Sequence, residues 1–326
     1  MNKRMNYIAL PNSMVWCHEK EETSLIKGMN DKFIAILSYI NCTLNRFDEC
    51  YFSLEELIIG CNKKPRTGKG RTNEQFKEAL IQLVNIGFLK DIDNKIKNCK
   101  TDSLIKCKLN LNVENQFFIL DYSKVKQIME IECSNNISLL NTYCYILARL
   151  RKREGSTDLV QSGGHAICMY EKQSTMAENL DISVSKLNEF LNLLITNKMI
   201  FKGNIGQVKE PNGLVHDANN VFVIDEDELE QALMESVYHY KKKGCKVLDK
   251  KINKADRIEC GYNGKIKVEK AKGKETAYLE ELKKRKLNKE LKTKSLTRYK
   301  NDDLSSKAIR KVNTQMLKAV KYSHGA

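Results

Sequence analysis

Five cations stand within the ten residues Asn62–Arg71, NKKPRTGKGR: Lys63, Lys64, Arg66, Lys69 and Arg71. Side chains of this charge at this density suit the phosphate backbone of a nucleic acid, where contacts fix position rather than read sequence. The run leads into a helical pattern that Thr72 is placed to cap, and the free N–H groups of a helix start also favour anions. In that helix Thr72, Asn73, Gln75 and Lys77 have the chemistry of base reading, since Asn and Gln pair bidentately with adenine and Lys reaches guanine. A later helix offers a second polar set, Ser183, Ser185, Lys186, Asn188 and Asn192. Glu74, Glu78 and Glu189 share these helices and oppose phosphate attraction, which leaves open that one helix faces protein rather than DNA. Arg149, Arg151, Lys152 and Arg153 close a long helix, and Lys202 belongs to a strand after the second polar set. Phosphate contact and plain solvation both fit these arginines. The run at 62–71 likewise fits either a phosphate clamp or a solvated, flexible loop. Its glycines and lysines lack the GxxxxGK[ST] spacing of an ATP-binding loop.

Catalytic chemistry is not expected. The five histidines, His18, His165, His216, His239 and His324, include no HxH or HExxH pair that would hold a metal for nicking. Tyr238 and Tyr240 are better read as part of a helix than as nucleophiles. His165 and Cys168 have a spacing compatible with zinc, but no second pair stands nearby. No enzyme activity, cofactor or metal is therefore expected. Trp16, the single tryptophan, is expected to pack near the start of the first folded unit.

The elements that must position the polar sets appear twice. In Ser174–Phe201 the residues Met176, Leu180, Ile182, Leu187, Phe190, Leu191 and Leu194 are apolar at helical spacing on either side of a short break. Ser174 or Thr175 is suited to cap the first helix, Asp181–Ser183 makes the turn, and Ser183 or Ser185 caps the second. Ala177 sits where a tight crossing leaves room for a small side chain. This is a helix-turn-helix pattern. Upstream, Ser53 caps Leu54–Cys61, the basic run is an enlarged turn, and Phe76, Leu80 and Leu83 repeat the apolar stripe of Leu187, Leu191 and Leu194 at an offset of 111. At an offset of 110, Tyr7–Ser13 matches Phe117–Ser123, and Phe33, Ile36, Leu37 and Ile40 match Tyr143, Ile146, Leu147 and Leu150. Each helix pair is followed by two strand patterns, Gly87–Ile92 with Leu104–Leu111 and Met199–Lys202 with Val221–Ile224, joined through polar stretches. A duplicated unit of strand, helix, helix-turn-helix and β-hairpin wing follows. Asp225–Lys243 reads as a further helix, acidic at its start and basic at its end.

The net charge of +15 is uneven: residues 241–326 hold 27 Lys/Arg against 10 Asp/Glu, while residues 1–240 hold 29 against 31. A nucleic-acid reading of the folded units must rest on local placement, not on overall charge. The tail reads either as a disordered segment with transient helices or as a basic arm that binds DNA non-specifically or docks on a partner. Eleven cysteines without CxxC spacing suggest reduced thiols and a cytoplasmic setting, and no run approaches the roughly 18 apolar residues of a membrane span. The expected fold is α+β and mainly helical: two tandem winged helices at 1–115 and 116–225, then a helix and basic tail at 226–326, partly helical or disordered.

This layout resembles plasmid and phage replication initiators built from two winged helices in tandem. The likeness spans roughly residues 6–225 and rests on the duplication, on YIALPNS (Tyr7–Ser13), FSLEELI (Phe52–Ile58), GFL (Gly87–Leu89) and LLNTYCYILARLRKR (Leu139–Arg153). The opening and first helix-turn-helix are also similar to the RepA N-terminal domain of Gram-positive plasmids. The resemblance implies sequence-specific binding of double-stranded DNA at repeated origin sites, opening of an A·T-rich segment, and recruitment of a host replicative helicase or its loader. It also implies a homodimer in which one winged helix dimerises and the other reads sequence. The enlarged basic turn and the long basic tail depart from the simplest such pattern. Two other readings stand beside it: a transcriptional regulator of a mobile element, and a helicase-loading or primosome scaffold of the DnaD type.

Overall fold

A computed structural model of the chain describes residues 6–17, 22–92, 96–111, 116–152 and 166–248. These belong to the first of two compact units, residues 1–261; the second, residues 262–326, lies outside the described residues, and so do the expectations made for the tail. The described chain is α+β, with helices set against small antiparallel sheets. No helix among the described residues is long and apolar enough to cross a membrane.

The first repeat opens with strand β1 (Tyr7–Pro11), followed by a single helical turn, α1 (Leu25–Gly28), and the buried helix α2 (Phe33–Cys42). Strand β2 (Cys50–Ser53) runs directly into α3 (Leu54–Gly60). A capping box starts α3: Ser53 Oγ accepts from Glu56 N while the Glu56 carboxylate accepts from Ser53 N. Helix α4 (Thr72–Asn85) follows the basic turn, and β3 (Leu89–Lys90) and β4 (Leu104–Leu109) close the repeat, with β4 between β2 and β3. The second repeat runs in the same order. Strand β5 (Phe117–Asp121), α5 (Tyr122–Glu130) and the long helix α6 (Asn136–Arg149) lead to β6 (Met169–Glu171) and the pair α7 (Gln173–Asn179) and α8 (Val184–Thr196). Strand β7 (Phe201–Gly203) comes next. The intervening polar stretch, expected to be a simple turn, carries its own hairpin of β8 (Gln207–Lys209) and β9 (Val215–Asp217). Strand β10 (Asn220–Val223) then lies between β6 and β7, as β4 lies between β2 and β3. Helix α9 (Glu228–Lys242) is shorter than expected at its start, and β11 (Lys246–Leu248) adds to β8.

The two opening strands pair with each other, antiparallel, with Ala9 opposite Ile119. Alternation puts Ile8, Leu10, Phe118 and Leu120 inward, and these join one core shared by both repeats. A smaller core of Cys168, Val221, Val223 and Ala232 lies under α9.

The helix ends explain the likeness between repeats. Gly87 and Lys198, equivalent positions after α4 and α8, both have positive φ (82° and 53°). Phe88 N bonds Leu83 O and Met199 N bonds Leu194 O, the 6→1 bond of a Schellman cap in each case. Asn62 (φ 55°) and Asp181 (φ 53°) end α3 and α7 in the same way, the latter matching the expected turn at Asp181–Ser183. Ser183 caps α8 by accepting from Lys186 N, as expected. Thr72, Ser174 and Thr175 do not cap. α4 and α7 begin earlier, at Thr72 itself and at Gln173, so all three lie within the first helical turn.

Candidate nucleic-acid interface

The repeats differ most between their paired helices: residues 61–71 separate α3 from α4, whereas only residues 180–183 separate α7 from α8. The extra length is the basic turn, and it is fastened at both ends. At its start, Asn62 Nδ2 donates to Met129 O (3.0 Å) and Asn136 Oδ1 (3.0 Å) of the second repeat, and Lys63 Nζ donates to Asn135 Oδ1 (3.1 Å). At its end, Asn73 Oδ1 accepts from Arg66 N (2.8 Å), Asn73 N donates to Arg66 O (3.2 Å), and Asn73 Nδ2 donates to Thr101 Oγ1 (3.4 Å). Glu74 accepts from Gly70 N, and Gln75 Nε2 donates to Gly70 O (2.9 Å). These bonds give the basic turn a defined shape.

Fastening sorts the expected site residues. Lys64, Arg66, Lys69 and Arg71 are exposed and carry the turn's outward charge. Lys63 is half-buried and engaged with the second repeat, which corrects its place among the phosphate contacts. Asn73 is buried, so it holds the turn and cannot reach a base edge. Lys77 is also drawn inward, with Nζ donating to Cys99 O (2.7 Å) and Lys97 O (3.3 Å). What α4 then shows to solvent is Gln75, Glu78 and Asn85, with Thr72 and Glu74 half-buried. That surface is acidic to neutral and poorly suited to a groove lined with phosphates.

Helix α8 presents a different face. Ser183, Ser185 and Asn192 are exposed and Asn188 is half-buried, and exposed Glu189 and Thr196 extend the row Ser185–Asn192 along one side. Lys186 lies over the Phe190 ring at 4.8 Å and donates to Glu189 Oε1 (2.7 Å) and Ser134 Oγ (2.5 Å), so its charge is locally balanced.

The arginines at the end of α6 divide. Arg149 is an internal group, correcting its reading as a phosphate contact or a solvated end. It bonds Glu171 Oε1 (3.3 Å) and stacks on Trp16 at 4.1 Å, which ties the first repeat's tryptophan to the second repeat. Glu171 also accepts from Tyr145 Oη (2.7 Å), and that hydroxyl accepts from Asn179 Nδ2 (2.7 Å) at the end of α7. Arg151 is exposed, with its guanidinium 5.7 Å from the Tyr170 ring centroid. Lys152 is exposed, and Arg153 lies outside the described residues. Lys202 is exposed, with Nζ 6.0 Å from the Phe222 ring centroid, and partial desolvation pushes its pKa below the ordinary lysine value. His165 lies outside the described residues, Cys168 is buried, and Tyr240 Oη accepts from Asn219 N (3.1 Å). Among the described residues, no group of three or more His, Cys, Asp or Glu is placed to hold a metal.

Sequence reasoning missed the loop between α5 and α6. Ser134 and Asn135 receive Lys186 from α8 and Lys63 from the basic turn, so both candidate DNA-facing elements lean on one short segment. Its Ser-Asn-Asn composition, rich in short hydrogen-bonding side chains, was the available signal.

No protein-family model matches the chain, and no characterised protein or solved structure shows a significant likeness to it.

Proposed function

We propose that the chain is a sequence-specific double-stranded DNA-binding protein composed of two winged helices, and that it initiates replication of a plasmid or phage. The observation that carries the reading is the basic turn: four exposed cations, Lys64, Arg66, Lys69 and Arg71, on a segment fastened at both ends between the two helices of a helix-turn-helix. Support for the fold comes from the order helix, strand, helix, helix, hairpin, found twice with the first strand beside the last. In this reading the turn grips phosphates, and α8 reads bases through Ser185, Asn188 and Asn192. Replication, a homodimer and contact with a helicase or its loader rest on the resemblance of the sequence. The exposed face of α4, Gln75, Glu78 and Asn85 with no exposed cation, favours one further element, a protein partner docked there, as in a helicase-loading scaffold.

The test is a titration of cognate and random duplexes at several salt concentrations. Each phosphate contact contributes about 0.9 to the slope of log K against log salt. Replacing the four cations by alanine is expected to flatten that slope by up to about 3.6 on both duplexes, with site preference kept. A wild-type protein that binds no duplex refutes the reading. Direct repeats beside an A·T-rich tract that depend on the protein for replication separate an initiator from a transcriptional regulator.

A further inference from the structure

The basic turn, the first turns of α3 and α4, and Thr101 line an open cleft of about 680 Å³. Bonds around it set its shape. Buried Asn73 joins Arg66 N to Thr101 Oγ1, and Glu55 N donates to Thr101 O at 3.0 Å. Charges of both signs line the cleft. Arg66, Arg71 and Glu55 are exposed, and among the described residues none of the three has an ion-pair partner. Two guanidiniums and a carboxylate thus share one space without neutralising each other. Thr101 Oγ1 accepts from Asn73, which leaves its hydroxyl proton for another acceptor, and Thr67 adds an exposed hydroxyl. Lys64 and Lys69, on the same turn, lie outside the lining.

These groups fit a ligand with an anionic end and a donor-rich edge. A guanidinium is a fork of N–H donors that matches phosphate oxygens, while an ionised carboxylate only accepts, through two oxygens side by side. A bare anion satisfies the arginines but meets Glu55, and a cation does the reverse. Guanine presents two adjacent donors, N1–H and the N2 amino group. Adenine sets one amino group beside a ring-nitrogen acceptor, which a carboxylate repels. A guanidinium plane also stacks a base, and a space of this size suits a nucleotide. We propose that this cleft binds a guanine nucleotide, with its phosphates on Arg66 and Arg71 and its base edge on Glu55. The inference goes beyond the DNA-binding reading, with which it shares two arginines, and it is tested without a duplex, so that either can fail alone.

The experiment is calorimetric titration of the full chain with guanosine diphosphate, adenosine diphosphate and pyrophosphate at one ionic strength. The basic tail attracts all three, so the readout is the difference between them. The expected result is saturable one-to-one binding of guanosine diphosphate, at least about tenfold tighter than either control. Glu55 is exposed and takes no part in the capping box, so Glu55→Gln keeps the fold. It is expected to bring guanosine diphosphate down to the level of the adenine nucleotide, with the latter's affinity and the melting temperature unchanged. The Arg71 side chain makes no cap bond, and Arg71→Ala is expected to weaken both nucleotides at least about tenfold. Lys64→Ala removes the same charge from the same turn outside the cleft and is expected to leave both affinities nearly unchanged. Absence of saturable binding, equal affinity for either control, guanine preference kept in Glu55→Gln, or a loss in Lys64→Ala as large as in Arg71→Ala each overturns the proposal.

Discussion

Asn73→Ala separates a residue that holds the basic turn from one that reads a base. The Asn73 side chain makes two bonds, a good one from Arg66 N at 2.8 Å and a longer one to Thr101 Oγ1 at 3.4 Å. A typical intramolecular hydrogen bond contributes about 0.5–1.5 kcal/mol, and a buried group left unpaired adds about 1–3 kcal/mol. Arg66 is exposed, so water reaches its freed N–H and the penalty falls toward the low end. The sum is about 1.5–2.5 kcal/mol, or roughly 3–10 °C in Tm for a unit of this size. Hydrogen exchange at the Arg66 amide is expected to quicken, and the loosened turn weakens cognate and random duplexes alike. Gln75→Ala is the control: its bond to Gly70 O is at the surface, so its effect on stability stays within about 0.5 kcal/mol. An unchanged melt with lost preference for the cognate site, about 1–3 kcal/mol of discrimination, would show that Asn73 reads a base after all.

Three other outcomes are expected. Ala177 of α7 is buried in the core, so Ala177→Leu overpacks that position and should destabilise by about 1–3 kcal/mol; an unchanged thermal melt counts against this packing. Asp121 caps α5 by accepting from Ser123 N at 2.6 Å, and its hydrogen bonds from Ser123 hold its carboxyl below the usual aspartate range. A depressed pKa contributes stability present above the unfolded value of about 3.9 and lost as pH falls through the folded value, so Asp121→Asn, which caps without titrating, should depart from wild type only in acid melts. Among the described cysteines, alkylation of the native protein should label the exposed Cys42 first, whereas Cys61 and Cys144, whose thiols burial pushes well up, should react only on unfolding; early labelling of either by mass spectrometry contradicts the packing.

The apolar stripes, two of the caps and the duplication were legible because each is encoded within one or two helical turns. Phe76, Leu80 and Leu83 and their counterparts Leu187, Leu191 and Leu194 are all buried, and Ser53 and Ser183 cap as their residue types suggest. The fate of individual polar residues was not legible, because it depends on partners distant in the chain. Asn73 has the side chain of a base reader, but Thr101 and Arg66 enclose it; Lys63 has the side chain of a phosphate contact, but Asn135 takes it. Pairing of β1 with β5 was equally hidden. Alternation tells which face of a strand is apolar and nothing of which strand lies beside it. The hairpin of β8 and β9 escaped because three-residue strands give too short an alternation to stand out from a polar turn.

The same contacts bear on how the two repeats divide their work. Had the basic turn and α8 been anchored separately, a shift of either would leave the other in place. Lys63 and Asn62 instead hold residues at the start of α6, and Lys186 holds the preceding Ser134. The phosphate-gripping and base-reading elements of the proposed function are thus braced against a single loop, and the Arg149–Trp16 stack braces the opposite end of α6. A rigid α6 with both ends tied to the first repeat keeps the spacing of the two elements constant. In the proposed function, constant spacing lets sequence-independent grip strengthen sequence-specific reading, because a duplex held by the turn meets α8 without a further loss of freedom. Four exposed cations are then enough for a folded unit whose first 240 residues carry slightly more acidic than basic side chains.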